Sequence, residues 1–150
     1  MVSRIRLIKQ FRFEMAHALW GYDGPCCNIH GHSYQLEVCI SGEPINNQSS
    51  PKNGMLMDFG DLKKIIYKHI IDIYDHALVI QKDTLHEDIF KKQDSFQKII
   101  AKPYQPTCEN LLIDFVSVIK ENLPNNIKLE GIKLGETASS WAEWRAEDNV

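Results

Sequence analysis

Two histidines, His30 and His32, flank Gly31 and lead into the alternating run Ser33-Tyr34-Gln35-Leu36-Glu37-Val38-Cys39-Ile40. Side chains two apart on a strand share a face, so both imidazoles fall in line with Tyr34, Leu36, Val38 and Ile40 on the apolar side. Burying an imidazole without partners is costly, and burying two side by side is worse unless the ring nitrogens are satisfied. A divalent metal ion satisfies them; neighbouring backbone carbonyls are the alternative. From Ile5 to His17 the apolar residues fall mainly on odd positions, and His17 continues that face. An antiparallel pairing of the two strands across the turn-rich Gly21-Tyr22-Asp23-Gly24-Pro25 brings His17 near His30 and His32. Three imidazole nitrogens with an open fourth position suit a zinc ion that polarises a substrate oxygen or a bound water. A fourth ligand from Cys26 or Cys27 would instead close the site into a structural clasp.

Other residues have the chemistry to act beside such a centre. Cys26 lies four positions before His30, in a turn where a thiol can face a cleft, and a nearby cation favours its thiolate. The other reading is a small buried hydrophobe, the role that suits Cys39 and Cys108. Asp75-His76 ends an apolar helical stretch; there the histidine gains from the helix dipole, and the adjacent carboxylate also orients an imidazole for proton transfer. His69 and His86 lack such a partner and read as ordinary surface or helix residues. Glu109 falls in the first turn of a helix, where backbone N–H groups favour an acid. Glu136 shares a strand face with Ile132 and Leu134 and needs donors. Arg145 offers an ion pair; a ligand with an amidine-like edge, such as a pterin or guanine ring, offers two parallel N–H groups.

The elements that must position these residues follow from periodicity. After the two strands, residues 42–54 form a polar loop, and Asp58 caps a helix that runs to about Tyr74 with Phe59, Leu62, Ile65, Ile66, Ile70 and Ile73 on its stripe. Residues 79–105 allow a short helix near Leu85 and Ile89 within a charged, solvated excursion. Thr107 caps a second helix, with Leu111, Leu112, Phe115, Val116 and Ile119 buried, which stops before Pro124. A third strand carries Ile132, Leu134 and Glu136, and a fourth covers residues 141–145. This order predicts an α+β domain spanning residues 1–150, a four-stranded antiparallel sheet with two helices on one face.

The chain's 150 residues, 43% hydrophobic and 25% charged, suit one core. Seventeen basic and twenty acidic residues give a net charge of −3, which argues against a nucleic-acid partner and leaves a small anionic substrate open. No stretch approaches the roughly 20 apolar residues of a membrane span, and the N-terminal alternation is unlike a signal peptide, so a cytoplasmic protein with no membrane partner is expected. Four cysteines, two adjacent, fit reduced thiols better than a disulfide framework.

Six segments together resemble the 6-pyruvoyltetrahydropterin synthase and 6-carboxytetrahydropterin synthase family. They are Phe11-Arg12-Phe13-Glu14-Met15-Ala16-His17, Cys26-Cys27-Asn28-Ile29-His30-Gly31-His32, Gly54-Met55-Leu56-Met57-Asp58-Phe59-Gly60-Asp61-Leu62-Lys63, Asp75-His76, Pro106-Thr107-Cys108-Glu109-Asn110 and Glu136-Thr137. The resemblance implies a tunnelling fold whose sheets join into an oligomeric barrel, commonly a hexamer, with active sites at subunit interfaces. It implies zinc on His17, His30 and His32, Cys26 as the catalytic thiol, Asp75 and His76 as its proton relay, and Glu136 as the pterin anchor. Thr107 and Glu109 would line the pterin pocket. The three residues between Cys26 and His30 resemble the bacterial 6-carboxytetrahydropterin branch. That branch converts 7,8-dihydroneopterin triphosphate with release of acetaldehyde and triphosphate, on the route to queuosine. The alternatives are a pyruvoyl synthase that only eliminates triphosphate and a non-catalytic zinc- and pterin-binding assembly protein. Tyr74 stands where the family commonly has Leu, and residues 78–104 are longer than in compact members.

Overall fold

Alternation along Ile5–His17 (β1) and His30–Gly42 (β2) produces two 13-residue strands, paired antiparallel over their whole length. The computed structural model describes residues 3–95 and 97–150, so Met1 and Val2 of the N-terminal segment lie outside it. The inward residues Phe11, Phe13 and Met15 of β1 and Tyr34, Leu36, Val38 and Ile40 of β2 are all buried, and Phe13 stacks on Tyr34 with ring centroids 5.3 Å apart. Each such large apolar side chain contributes roughly 1.5–3 kcal/mol on burial. Two further strands complete one side: β5 (Lys128–Thr137) pairs antiparallel with β2, and β6 (Ser140–Arg145) with β5. Between Cys39 and Ile40 the β2–β5 register shifts, leaving Glu130 as the extra residue of a bulge. That bulge changes the parity of β5, so Leu129 before it and Ile132, Leu134 and Glu136 after it share the core side.

The sheet has six strands, not four, and it is mixed. Ala77–Gln81 (β3) runs parallel to β1 and Ile99–Lys102 (β4) parallel to β3, giving the order β4-β3-β1-β2-β5-β6. Ala77, Leu78, Val79 and Ile80 are all buried, so β3 reads as a continuous apolar run instead of an alternating one. The expected α+β architecture, helices beside a sheet, stands, with four α-helical segments where two were expected.

Those helices are α1 (Phe59–Ile66), α3 (Leu85–Phe90), α4 (Cys108–Asn122) and the short α2 (Asp72–Tyr74), which a π-helical turn, Tyr67–Ile71, joins to α1. Asp58 caps α1 by accepting from Gly60 N–H, and Thr107 caps α4 by accepting from Asn110 N–H. A π turn adds a residue to the period and rotates everything after it. Leu62, Ile66 and Ile70 face the core as the periodicity requires, but beyond the turn Ile71 and Tyr74 are buried while Ile73 is 43% exposed. Phe59, at the start of the stripe, is also exposed. Among the described residues no helix is long and apolar enough to cross a membrane.

Three donors converge on one carboxylate between α4 and the β4 side of the sheet. Asp114 accepts from Lys102 Nζ at 2.7 Å, Tyr104 OH at 2.5 Å and Tyr74 OH at 3.2 Å. Burial works to raise the Asp114 carboxyl, but hydrogen bonds from Lys102 and Tyr104 outweigh it and hold the group below the usual carboxylate range. A depressed folded value means stabilisation that is present above the unfolded value of about 3.9 and lost as pH falls through the folded one. Asp114→Asn is therefore expected to lower the unfolding free energy at neutral pH by about 1–3 kcal/mol in urea titrations. The gap to wild type should close when the same titrations are run below about pH 4.

Candidate metal centre

The β1–β2 register sets His17 directly opposite His30, with His32 opposite Met15 two residues further along β2. Each of His17, His30 and His32 offers one nitrogen, and these three atoms lie within 4.8 Å of one another. His17 is 2% exposed; the other two are half-buried. Two carbonyls orient the rings: Pro106 O lies 2.7 Å from His17 Nδ1, and Asn28 O lies 2.8 Å from His30 Nδ1. A carbonyl oxygen only accepts, so each Nδ1 carries its proton and each Nε2 presents a lone pair.

Those two lone pairs face each other at 2.9 Å. Facing lone pairs repel unless a proton or a cation lies between them. Burial, with repulsion from His30 and His32, brings His17 down to about 4, and burial also lowers His32, so at neutral pH these two rings resist protonation. Two imidazoles with fixed tautomers and a third beside them form a donor set that fits a metal ion. Among the described residues the ligand group contains the three histidines and no thiol, so the closed clasp through Cys26 or Cys27 is not formed.

The surroundings are mixed in polarity. Glu136 Oε1 lies 3.9 Å from His17 Nε2, and the Tyr34 hydroxyl lies 3.5 Å from both Glu136 Oε1 and His17 Nδ1. Burial, reinforced by the Glu136 charge, pushes the Tyr34 phenol upward and keeps its proton on. The ion pair open to Glu136 from sequence is absent: Arg145 binds Glu143 at 3.0 Å and Glu147 at 3.5 Å. Tyr34 had been legible only as part of an apolar stripe. Its place two residues after His32 on the same face was the available signal.

Cys26 and Cys27 sit half-buried in the 3₁₀ turn Pro25–Cys27, and the Cys26 thiol is within electrostatic reach of Tyr34. Cys108 is buried, donates to Leu134 O at 3.2 Å and is pushed up to about 12 by burial, in keeping with an inert core role. Thr107 spends its hydroxyl on the α4 cap, and Glu109 is exposed on the first turn of that helix. His69 is half-buried in the π turn. His86 is not an ordinary surface residue: its ring packs edge-on against Trp20 at 4.9 Å, and its buried Nδ1 has no partner.

Asp75 and His76 lie on the other side of the sheet. Asp75 Oδ1 accepts from Glu14 N–H at 2.8 Å, its Oδ2 lies 2.9 Å from His76 Nδ1, and His76 N–H donates to Glu14 O at 2.6 Å. Burial tends to raise the Asp75 carboxyl, but the Glu14 N–H and His76 hold it below its ordinary value. His76 borders a cavity of about 350 Å³ lined by Glu14, Ala16, Gly31 and Ser33, which alternate with His17, His30 and His32 along their strands, and reached also by Met15 and His32. The His76 side chain is 77% exposed there. A single chain thus gathers His17, His30, His32, Tyr34 and Glu136, with Cys26 close by, and leaves Asp75-His76 facing away.

A family model described as 6-pyruvoyl tetrahydropterin synthase matches residues 6–147. The 6-carboxy-5,6,7,8-tetrahydropterin synthase of Haemophilus influenzae is 35% identical over 144 residues, covering 93% of this chain and 98% of that protein. The protein of the same name from Aquifex aeolicus is 29% identical over 162 residues, covering 93% and 96%. Among solved structures, an uncharacterized protein from Wolinella succinogenes superposes with a TM-score of 0.76 at 16% identity, covering 96% of this chain and 99% of that one. The 6-pyruvoyl tetrahydropterin synthase of Caenorhabditis elegans superposes with a TM-score of 0.67 at 23% identity, covering 96% of each. The structures share the tunnelling fold, and the match to the family model spans nearly the whole sequence: the chain belongs to the 6-pyruvoyl tetrahydropterin synthase family.

Proposed function

We propose that this protein is a zinc-dependent lyase that converts 7,8-dihydroneopterin triphosphate to 6-carboxy-5,6,7,8-tetrahydropterin, releasing acetaldehyde and triphosphate, on the cytoplasmic route to queuosine and related 7-deazaguanines. The observation that carries the reading is the convergence of His17, His30 and His32 beside Glu136 and Tyr34, with Nδ1 of His17 and of His30 turned to backbone carbonyls. The relatives named for the carboxy product support that product over the pyruvoyl one. Zinc held by the three histidines would supply Lewis-acid polarisation of the substrate's side-chain oxygens.

The chain's own groups divide the remaining work. Glu136, beside the Tyr34 hydroxyl, accepts the paired N–H groups of the pterin edge and so fixes the side chain over the histidines. Cys26 removes a proton from the pterin side chain as a thiolate, and the protonated Tyr34 keeps a donor beside Glu136. Thr107 and Glu109, at the start of α4 next to Pro106, border the pterin ring. Asp75 holds His76 in position for proton exchange, and because this pair opens onto the far face of the sheet, it serves the Cys26 of a neighbouring copy. Open edges at β4 and β6 provide the pairing surfaces from which a homohexameric barrel is built.

Purified zinc-loaded protein given dihydroneopterin triphosphate is expected to yield the carboxy pterin by mass spectrometry, with acetaldehyde and triphosphate in equal amount. Pyruvoyl pterin without acetaldehyde would assign the other branch, and intact triphosphate at full metal occupancy would make the protein a binding module. Cys26→Ala should lower turnover by roughly 100- to 10,000-fold while zinc content is retained, whereas loss of zinc would mean that the thiol is a ligand. Cys26→Ala and His76→Ala proteins, each inactive, are expected to regain roughly a quarter of wild-type activity when unfolded together and reassembled at equal amounts, as random pairing of complementary half-sites requires. No recovery would place thiol and relay in the same chain.

A further inference from the structure

The two carbonyls that orient the histidines lie on different segments. Pro106, beside His17, belongs to the strap of residues 103–107 between β4 and α4; Asn28, beside His30, belongs to the loop of residues 18–29, which also carries Cys26. Inside that loop, the Leu19 N–H donates to Cys26 O at 2.9 Å, Cys27 N–H to Gly24 O at 3.2 Å and Asn28 N–H to Pro25 O at 3.1 Å. These bonds shape the turn around the thiol but do not attach it to the rest of the fold.

The hydrogen-bonded attachment comes from a glutamine, beside the burial of Ala18 and Leu19 and the ring contact of Trp20 with His86. Gln105 Oε1 accepts from Trp20 N–H at 2.9 Å, and Gln105 Nε2 donates to Trp20 O at 2.7 Å. The side-chain amide thereby makes the two-point bond that a paired strand residue would make. The backbone of Gln105 is secured separately, because its carbonyl accepts from Thr107 N–H at 2.8 Å and from Asn110 Nδ2 at 3.0 Å. A substitution at Gln105 therefore releases the loop without releasing the strap. Trp20 adjoins Leu19, whose N–H holds the Cys26 carbonyl, so the restraint reaches the thiol's residue through a single hydrogen-bonded rung.

We propose that Gln105 is a positioning residue: it locks the loop that bears Cys26 to the strap that orients His17, so that thiol and histidine cluster keep one relative placement. As a statement about turnover this rests on Cys26 being the group that removes the substrate proton. As a statement about the loop it does not. Losing two hydrogen bonds of ordinary strength raises the loop-open population roughly ten- to thirty-fold.

The test is iodoacetamide alkylation of the whole protein, followed cysteine by cysteine by peptide mass mapping, alongside hydrogen exchange at the Trp20 amide. In Gln105→Leu both rates should rise roughly ten- to thirty-fold, while Cys39, in the middle of β2, keeps its wild-type rate. Gln105→Glu keeps an acceptor for the Trp20 N–H and loses the donor, so its rates should fall between the two; it carries the comparison alone if the leucine variant aggregates. In turnover the variants should lose kcat with KM unchanged. Wild-type rates at Cys26 and Trp20 would overturn the latch, and so would an equal rise at Cys39, which would mean general loosening. Alkylation and exchange need no substrate, so wild-type protein that never turns over dihydroneopterin triphosphate would refute the proposed reaction and leave the latch to be judged by these rates.

Discussion

Because side chains alternate along a strand, slipping β1 by one residue against β2 would send His17 to the outer face while Ala16 took its place opposite His30. The site exists only in the observed register. That register is enforced by burial of Phe11, Phe13 and Met15 against Tyr34, Leu36 and Val38 over one continuous pairing, so the core and the histidine cluster are a single object. The sheet ends where the cluster begins, and the chain leaves β1 and enters β2 through the loop that holds Cys26. From this follow the pinned tautomers: His17 and His30 reach Pro106 O and Asn28 O only because the pairing brings them to the sheet's end, where irregular backbone has free carbonyls.

What could be read beforehand was whatever depends on local periodicity. β1, β2 and α4 alternate or repeat cleanly, and the same counting that finds their core residues puts His17, His30 and His32 on the core side. Asp58 and Thr107 were visible as caps because a cap is a local event. The parallel strands β3 and β4 were not visible: Leu78, Val79 and Ile80 form a short apolar run with no alternation, and the partner that makes the run a strand lies about sixty residues away in β1. The π turn escaped for a similar reason. Its extra residue leaves the composition of the helix unchanged and shows only in which isoleucine, Ile71 instead of Ile73, meets the core.

At the site itself, residue types were legible and their partners were not. Three histidines point to a metal-binding donor set by number and spacing, yet the groups that fix the tautomers of His17 and His30 are backbone carbonyls of Pro106 and Asn28, which carry no side-chain signature. Gln105 was equally silent, since a glutamine in a polar segment is unremarkable until its amide is found against the backbone of Trp20. Glu136 reads from the sequence as a carboxylate on an apolar face; the bulge at Glu130 precedes it and so leaves its parity with Ile132 and Leu134 intact, and the β5–β6 register shifts at Glu136 itself.

The placement of Asp75 and His76 adds one more constraint. His76 has a φ of 61°, a left-handed conformation that costs a non-glycine residue about 1–2 kcal/mol. It is held there by its N–H on Glu14 O and by the Asp75 carboxylate on Glu14 N–H. The anchor is a β1 residue three positions before His17, so one strand carries His17 of the cluster on its covered face and holds the Asp75-His76 pair by its backbone. Their separation is then set by the stiffness of β1, and any assembly that brings the open face of one copy to the covered face of the next inherits a fixed geometry. Within the chain, then, His17 and the Asp75-His76 pair hold one relative placement before any partner arrives.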